Sequence, residues 1–295
     1  MKLSILIITY NQEKYITECL ESILMQKIPY DFEIIVSDDC STDSTISKAD
    51  QILKQSNRNY KIIKNDQNIG ISKNYQKGFK ECNGEYIGVI EGDDYWTDPD
   101  RLYKHVTFLE SHRECVMSFN RIIYYYEDSA RFVVPEWSNA ESFEYITTSQ
   151  MAGGNCIGNL SACVFRNSEI QKLKQNFFEL EIADWILGMT LGQHGLIAYL
   201  KDAMSVYRIN PNGQWSKLSS TEQNQAILRF IDVYNEFLEF RFDKEFTQYK
   251  SRLLSIKNDQ SLKRRYIEIL PPVFFSVIRW LIPVGIRRHI KKLIY

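Results

Sequence analysis

The sequence predicts an α/β fold, in which a mostly parallel, twisted sheet is flanked by helices and followed by a helical C-terminal extension. Two observations lead to this prediction. Over the N-terminal third of the chain, short apolar runs alternate with segments whose apolar residues recur at helical spacing. Polar clusters directly follow three of these apolar runs. Alternating strands and helices favour a parallel sheet, and such a sheet binds ligands at the carboxyl ends of its strands.

The first strand is predicted over residues 3–9, where nearly every position is apolar, as in a strand buried on both faces. A helix follows this strand, and Asn11 belongs to the residue types that cap helix N-termini. The apolar positions of that helix are Ile16, Leu20, Ile23 and Leu24. Pro29 marks the end of the helix.

Three further strands are predicted over residues 32–36, 60–63 and 86–90. The Ser-Thr-Asp sequence at 41–43 is typical of a helix N-terminus, and the Asn-Ile-Gly sequence at 68–70 turns the chain into another helix. The resulting β-α-β-α-β-α-β order implies a mostly parallel sheet covered by helices.

The composition is that of an ordinary globular protein and narrows the classes of function. The chain has 295 residues, of which 44% are hydrophobic and 25% charged, and its formal net charge is −1. This balance does not favour a general nucleic-acid-binding protein, so we expect no nucleic-acid partner. The six cysteines form no Cys-x-x-Cys pair, which predicts reduced cytoplasmic thiols rather than a zinc site or a disulfide framework.

The apolar runs also favour a cytoplasmic location. Residues 1–12 contain one lysine and a short apolar stretch without a small-residue cleavage site, so they predict a buried strand rather than a signal peptide. No apolar run reaches the roughly 18 residues of a membrane-spanning helix.

The sequence VIEGDDYW, residues 89–96, places Glu91, Asp93 and Asp94 directly after a predicted strand. Hard carboxylate oxygens suit Mg²⁺ or Mn²⁺, and Mg²⁺ usually takes only one or two protein carboxylates and completes its shell with phosphate oxygens. The cluster therefore predicts a metal that is bound together with a diphosphate. An EF-hand is excluded, because its glycine and distal glutamate are missing. The alternative is a solvated acidic turn before a helix capped by Asp98.

A second acidic sequence, EIIVSDDCSTDST, follows the second predicted strand. Asp39 could accept a hydrogen bond from the imide N–H of a pyrimidine base. The alternative is helix capping, which fits Asp43 better than Asp39.

These motifs occur in an order that resembles one protein family. Thr9-Tyr10-Asn11, EIIVSDDCSTDST, NIGISKN, GEYIGVIEGDDYWTDPDRL and ADW follow one another along the chain. Together they resemble the family 2 inverting glycosyltransferases of the bacterial cell-surface polysaccharide type. The resemblance is close up to about residue 110, weaker to about residue 216 and absent beyond. It implies a GT-A fold, whose first half is a Rossmann-like nucleotide-binding unit.

The resemblance implies roles in binding a nucleotide sugar, most simply a UDP-sugar. Asp39 would contact the uracil, Thr9 and Tyr10 would line its pocket, and Lys73 would lie near the diphosphate. The alternative for Lys73 is an exposed helix lysine. Each of these residues is expected in the first half of the fold.

The D-x-D motif of the family corresponds to Glu91-Gly92-Asp93. Asp93 would be a ligand of Mg²⁺ or Mn²⁺, and Glu91, which replaces the usual first aspartate, would reach the ribose or the metal. Asp94 is expected on the acceptor side or behind the metal ligands.

Asp184 corresponds to the catalytic base, because an attacking acceptor hydroxyl must lose its proton. Without the resemblance, Asp184 would be interpreted as a helix cap, and Glu181 is the alternative base. Asn155 and Trp185 are candidate acceptor contacts. Trp215 is a candidate for closing over the donor, and its alternative is a core position.

The predicted organisation has three parts. Residues 1–115 form the nucleotide-sugar-binding half, residues 116–218 form the acceptor-binding and catalytic half, and residues 219–295 form a helical extension. The tail 264–295 combines aromatic and basic residues, which fits an interfacial helix on an anionic membrane or packing on the protein body or a second subunit of a homodimer.

The resemblance implies a lipid-linked or oligosaccharide acceptor in O-antigen or capsule synthesis, and an enzyme that works in the cytoplasm, at the face of the inner membrane. Three alternatives stay open. A processive synthase usually carries Q-x-x-R-W, but Ser276 precedes Arg279-Trp280 here. A nucleotidyltransferase usually carries a Gly-rich, basic phosphate loop near the first strand, and ITYNQEKY is not that loop. A non-catalytic sugar-nucleotide-binding scaffold would have no need of Asp93 and Asp184.

Overall fold

The computed structural model of the chain describes residues 1–137, 140–181, 184–210 and 213–258. The predicted tail 264–295 therefore lies outside the described residues. Among the helices in these ranges, none is both long and apolar enough to cross a membrane.

The N-terminal part of the sheet is parallel, as predicted. Its strands are β1 (Leu3–Thr9), β2 (Phe32–Asp38), β3 (Asn59–Lys64) and β4 (Tyr86–Glu91). They lie in the order β3-β2-β1-β4, and Ile7 pairs with Val36 on one side and Ile90 on the other. Every residue of β1 and β2 is buried, because helices cover both faces of the sheet.

Three amphipathic helices provide that cover: α1 (Ile16–Leu24), α2 (Thr45–Gln55) and α3 (Ile71–Glu81). On one face, Leu20 of α1 and Leu53 of α2 share a hydrophobic cluster with Ile5 of β1. On the other face, Tyr75 of α3 packs in a cluster with Leu6 of β1. The period-two alternation of a strand sends these neighbouring residues to opposite faces.

The remaining strands make the sheet mixed. They are β5 (Tyr95–Trp96), β6 (Cys115–Tyr126), β7 (Arg131–Val133), β8 (Phe143–Ile146), β9 (Cys163–Arg166) and β10 (Leu196–Ile209). Strand β9 pairs antiparallel with both β4 and β6, and β10 runs parallel to β6. Strands β1, β4, β6 and β10 therefore run in the same direction, and their carboxyl ends meet at one edge of the sheet.

Six more α-helices lie in the described chain: α4 (Arg101–Ser111), α5 (Thr148–Ala152), α6 (Asn167–Ile170), α7 (Asp184–Leu191), α8 (Ser220–Phe237) and α9 (Asp243–Asn258). A capping box between Ser219 and Glu222 starts α8. Tyr234 of α8 and Phe246 of α9 are buried in the cluster that also holds Trp185 of α7. The described part of the C-terminal extension thus packs directly on the sheet domain.

Two predicted helix starts are wrong. Asn11 does not cap α1, which begins at Ile16 after an intervening turn. Asn11 instead adopts a φ of 52°, and its Oδ1 accepts a hydrogen bond of 2.8 Å from the backbone N–H of Thr42. Helix α4 begins at Arg101, because Asp98 uses its Oδ1 to close a turn onto the N–H of Asp100. In both cases the side-chain oxygen accepts a hydrogen bond from a nearby backbone N–H group instead of capping the helix.

Candidate active site

A tight loop over residues 91–94, which we call the acidic loop, carries the acidic cluster at the carboxyl end of β4. One ligand oxygen from each of Glu91, Asp93 and Asp94 lies within 4.8 Å of the other two. Gly92 lets this loop pack closely against the end of β1. A Cβ at position 92 would lie 2.3 Å from Oε1 of Gln12 and 2.9 Å from Oγ1 of Thr9.

Asp94 is the most deeply buried of the three carboxylates, with 1% of its surface exposed. Its Oδ2 accepts hydrogen bonds from Asn159 Nδ2 at 3.0 Å and Ser161 Oγ at 2.5 Å. Its Oδ1 accepts one from the backbone N–H of Arg208 at 2.9 Å. Burial, Asp93 and Glu91 together raise the pKa of Asp94 well above its usual range. Asp94 therefore ties the acidic loop to two segments of the second half.

Glu91 is half-buried, and its Oε1 accepts a hydrogen bond of 3.1 Å from the hydroxyl of Tyr75. Burial raises the pKa of Glu91 to about 7, and the charges of Asp93 and Asp184 also raise it. Asp184 is therefore close enough to act on Glu91, although the two residues come from distant parts of the sequence.

Burial also raises the pKa of Asp93, against the opposing effects of Arg208 and Gln12. Asp94 already accepts three hydrogen bonds from the protein, whereas Glu91 accepts one from Tyr75, so Glu91 and Asp93 are the acids of the cluster that are better placed to bind a cation. An all-oxygen set with one or two carboxylates fits Mg²⁺ or Mn²⁺, which complete their shells with water and phosphate oxygens. The residues that are present therefore fit the predicted metal.

Asp39 lies buried at the end of β2, beside the end of β1, where its backbone N–H donates to Thr9 O at 3.0 Å. Its Oδ1 accepts hydrogen bonds from Asn65 Nδ2 at 3.0 Å and Ile69 N at 2.8 Å, and its Oδ2 accepts one from Gly70 N at 2.9 Å. Asp39 thus orders the loop before α3. Its Oδ2 keeps the capacity to accept a further hydrogen bond.

The other residues that were predicted to bind the nucleotide lie around the same edge. Oγ1 of Thr9 donates to Oε1 of Gln12 at 2.8 Å, and Tyr10 is 42% exposed. Lys73 lies in the first turn of α3, where its Nζ is 3.4 Å from an exposed carboxylate oxygen of Glu179. The predicted contact of Lys73 with a diphosphate stays a prediction.

Asp184 is the first residue of α7. Its Oδ2 accepts a hydrogen bond of 2.9 Å from Asn155 Nδ2. Burial raises the pKa of Asp184, and hydrogen bonds from Asn155 and from the backbone N–H groups of Trp185 and Gly158 counteract this effect. These donors fix the orientation of the carboxylate. Sequence analysis had placed Asn155 as an acceptor contact, and the structure puts it directly against Asp184.

Trp185 and Trp215 occupy different environments. Trp185 is 3% exposed, and its indole N–H donates to Met151 O at 2.7 Å, which anchors the start of α7 to α5. Trp215 is 37% exposed and stacks on Phe230 of α8 with ring centroids 6.4 Å apart. Their predicted contacts with acceptor and donor stay predictions.

Strand β10 brings two residues to the site that sequence analysis did not single out, Tyr207 and Arg208. Burial raises the pKa of Tyr207, and four carboxylates raise it further. These are Asp94, Glu91, Asp93 and Asp184. Tyr207 is therefore subject to the charges of both the acidic loop and Asp184. Arg208 contacts the acidic loop directly. The two residues are the first two of the sequence YRIN, residues 207–210, at the end of β10.

Comparisons with known proteins agree with this architecture. The family model described as "Glycosyl transferase family 2" matches residues 4–172. The uncharacterized protein Rv1520 of Mycobacterium tuberculosis is 32% identical over 216 residues, which cover 72% of this chain and 60% of Rv1520. The chain thus spans less than two thirds of that relative.

Two further matches come from better-described proteins. TuaG of Bacillus subtilis, whose name assigns it to teichuronic acid biosynthesis, is 27% identical over 251 residues, 83% of this chain and 93% of TuaG. The crystal structure of residues 1–349 of Staphylococcus aureus TarS in complex with UDP-GlcNAc superposes with a TM-score of 0.65 at 26% identity, covering 89% of this chain and 76% of the crystallised chain. The chain therefore belongs to glycosyltransferase family 2 and has the GT-A fold, as the order of its motifs predicted.

Proposed function

We propose that this protein is a metal-dependent, inverting glycosyltransferase that moves one sugar from a nucleotide-diphosphate sugar to a hydroxyl of a saccharide acceptor. The observation that carries this proposal is the acidic loop at the carboxyl end of β4, where one ligand oxygen from each of Glu91, Asp93 and Asp94 lies within 4.8 Å of the other two. The charge of Asp184 raises the pKa of Glu91, and both groups act on Tyr207. A half-buried carboxylate whose charge reaches a cluster of metal-ligand type is an arrangement that suits direct sugar transfer.

The nucleotide sugar binds at the carboxyl ends of β1, β2 and β4. Asp39, Thr9 and Tyr10 receive the base and ribose, while Glu91 and Asp93 face the diphosphate. The complex of TarS with UDP-GlcNAc supports a UDP-sugar as the donor. Bound Mg²⁺ or Mn²⁺ supplies Lewis-acid stabilisation of the charge that develops on the leaving diphosphate.

Asp184 acts on the acceptor. Its carboxylate takes the proton of the attacking hydroxyl, while Asn155 and two backbone N–H groups keep it oriented. The acceptor oxygen forms a bond to the anomeric carbon as the bond from that carbon to the diphosphate oxygen breaks. The bonding electron pair leaves with the nucleoside diphosphate. A single displacement from the opposite face inverts the anomeric configuration.

The biological context is the synthesis of a cell-surface polysaccharide, with a lipid-linked or oligosaccharide acceptor at the cytoplasmic face of the membrane. The name of TuaG and the described acceptor of TarS, poly(ribitol-phosphate), support this class of product. The predicted membrane contact through residues 264–295 belongs to the same proposal.

A panel of nucleotide sugars tests the proposal. We expect UDP-sugars to raise the melting temperature of the protein in the presence of Mn²⁺ and to do so much less after treatment with EDTA. Asp93→Asn should weaken the Mn²⁺-dependent part of this shift. If no nucleotide sugar gives a metal-dependent shift or a transfer product, the alternative of a non-catalytic scaffold is favoured instead.

A further inference from the structure

Arg208 at the end of β10 holds the acidic loop from two sides. Its backbone N–H donates to Oδ1 of Asp94, and its side-chain Nε donates to the backbone carbonyl of Asp93, each at 2.9 Å. The side chain of Arg208 is 8% exposed. One residue thus contacts two consecutive residues of the loop that carries the candidate metal ligands.

Three aromatic rings surround this guanidinium group. The ring centroids of Tyr15, Tyr95 and Tyr125 lie 4.8, 5.4 and 5.3 Å from its central carbon. These rings come from the turn before α1, from β5 and from β6. A planar guanidinium stacks favourably on aromatic faces, particularly where it is shielded from water.

The second arm of the guanidinium is also fixed, because its terminal nitrogen pairs with the carboxylate of Glu18 in α1. Arg208 therefore bridges the acidic loop and α1 with two separate donors. A lysine ammonium has no planar fork and cannot reproduce both contacts with the same orientation. The arrangement requires arginine for geometry as well as for charge.

We propose that Arg208 is a positioning residue, which fixes the acidic loop through Asp93 and Asp94 so that Glu91 and Asp93 present their carboxylates to the cation and diphosphate of the donor. This inference rests on the proposed function and extends it to a residue that does not itself touch the reacting atoms.

The test compares Arg208→Lys with the wild type in two measurements. Binding of Mn²⁺ alone is measured by electron paramagnetic resonance, and transfer kinetics are measured over a range of donor concentrations. We expect Arg208→Lys to weaken Mn²⁺ binding and to raise the donor KM about tenfold, the effect of a lost hydrogen bond. The kcat at saturating donor should stay within about threefold, because Asp184 is untouched.

Arg166 offers a matched control. Its guanidinium also donates to backbone carbonyls, to Cys115 at 2.7 Å and Leu109 at 2.5 Å, and lies 5.6 Å from the ring of Tyr86. It lies at the opposite edge of the sheet, because β9 runs antiparallel to β4. Arg166→Lys should destabilise the fold comparably and leave Mn²⁺ affinity unchanged. Equal losses of Mn²⁺ affinity in the two variants would overturn the proposal.

Tyr125→Leu provides a second variant, which keeps Arg208 and removes one of the three aromatic rings around its guanidinium group. We expect weaker Mn²⁺ binding by about threefold, consistent with a partly buried cation–π contact. Wild-type Mn²⁺ affinity in both Arg208→Lys and Tyr125→Leu contradicts the positioning role. Failure of the wild type to bind Mn²⁺ or transfer a sugar instead contradicts the proposed function, so the two failures are distinguishable.

Discussion

At the scale of single residues, Glu91 is the departure from the usual D-x-D motif. Its longer side chain reaches the hydroxyl of Tyr75 at 3.1 Å and still keeps a carboxylate oxygen within 4.8 Å of those of Asp93 and Asp94. The substitution therefore preserves a cluster that can bind a cation. It also leaves a half-buried acid whose pKa is about 7.

This pKa predicts how the stability of the metal-free protein depends on pH. Folding raises the pKa of Glu91 from 4.5 to about 7, so between these values the folded state binds more protons than the unfolded state. The contribution of Glu91 therefore becomes less favourable as pH rises through this window and stays so above it. Glu91→Gln removes the ionisation. In urea denaturation from pH 5 to 8, the variant should gain stability relative to the wild type as pH rises. If the stabilities of the wild type and of Glu91→Gln changed with pH in the same way, the raised pKa of Glu91 would be contradicted.

Gly92 predicts a second effect, which arises from steric contact. A methyl group at position 92 would overlap Gln12 and approach Thr9 Oγ1 at 2.9 Å. We expect Gly92→Ala to cost about 1–2 kcal/mol of unfolding free energy and to weaken donor binding. Adding Gln12→Ala removes the closer of the two contacts and should recover part of the stability. The double-mutant cycle measures this coupling, and strict additivity of the two changes would argue against the packing described here.

At the scale of elements, local patterns predicted the first four strands and three helices well. Three of those strands contain nearly continuous apolar runs, β3 is a shorter and more polar strand, and each helix has a buried stripe that is visible in the sequence. The starts of α1 and α4 were predicted wrongly, because Asn11 and Asp98 bond to nearby backbone groups instead. A hydrogen bond of this kind does not change the spacing of the apolar residues, so the sequence pattern does not reveal it.

The second half of the sheet could not be predicted in this way. Strand β9 lies between β4 and β6, so its pairing depends on residues that are distant in sequence. Asp39, Asp93 and Asp184 were identified through the order of family motifs. Arg208 was missed, because its role arises only when β10 reaches the acidic loop.

The packing of α9 predicts that the C-terminal extension and the sheet domain unfold together. Phe246 is fully buried, with its ring centroid 5.8 Å from that of Trp185, next to Asp184. Phe246→Ala should lower the free energy of unfolding by roughly 3–5 kcal/mol in a single transition. Phe240 is a matched control, because it is 61% exposed, and Phe240→Ala should change stability by less than about 0.5 kcal/mol. If Phe246→Ala showed a separate unfolding transition before the main one, the C-terminal extension would unfold independently of the sheet domain.

At the scale of the whole molecule, the direction of the strands explains why distant acids meet. The carboxyl ends of β1, β2 and β4 carry Thr9, Asp39 and Glu91 to one edge of the sheet. Asp94 then joins this edge to Asn159 and to β10 of the second half. The result is a negatively charged site in a protein whose formal net charge is only −1. A cation that arrives with a diphosphate sugar would offset this local charge.

The most direct test of the account is the effect of Asp184→Asn on transfer, measured together with the affinity for Mn²⁺ and a UDP-sugar. Asparagine keeps the size of the side chain and removes the base. The account predicts that kcat falls by about 10²–10⁴-fold while donor affinity stays within about twofold. Asp93→Asn serves as the comparison, since it should weaken donor affinity. Transfer by Asp184→Asn at a rate close to that of the wild type would contradict the central claim that Asp184 is the base.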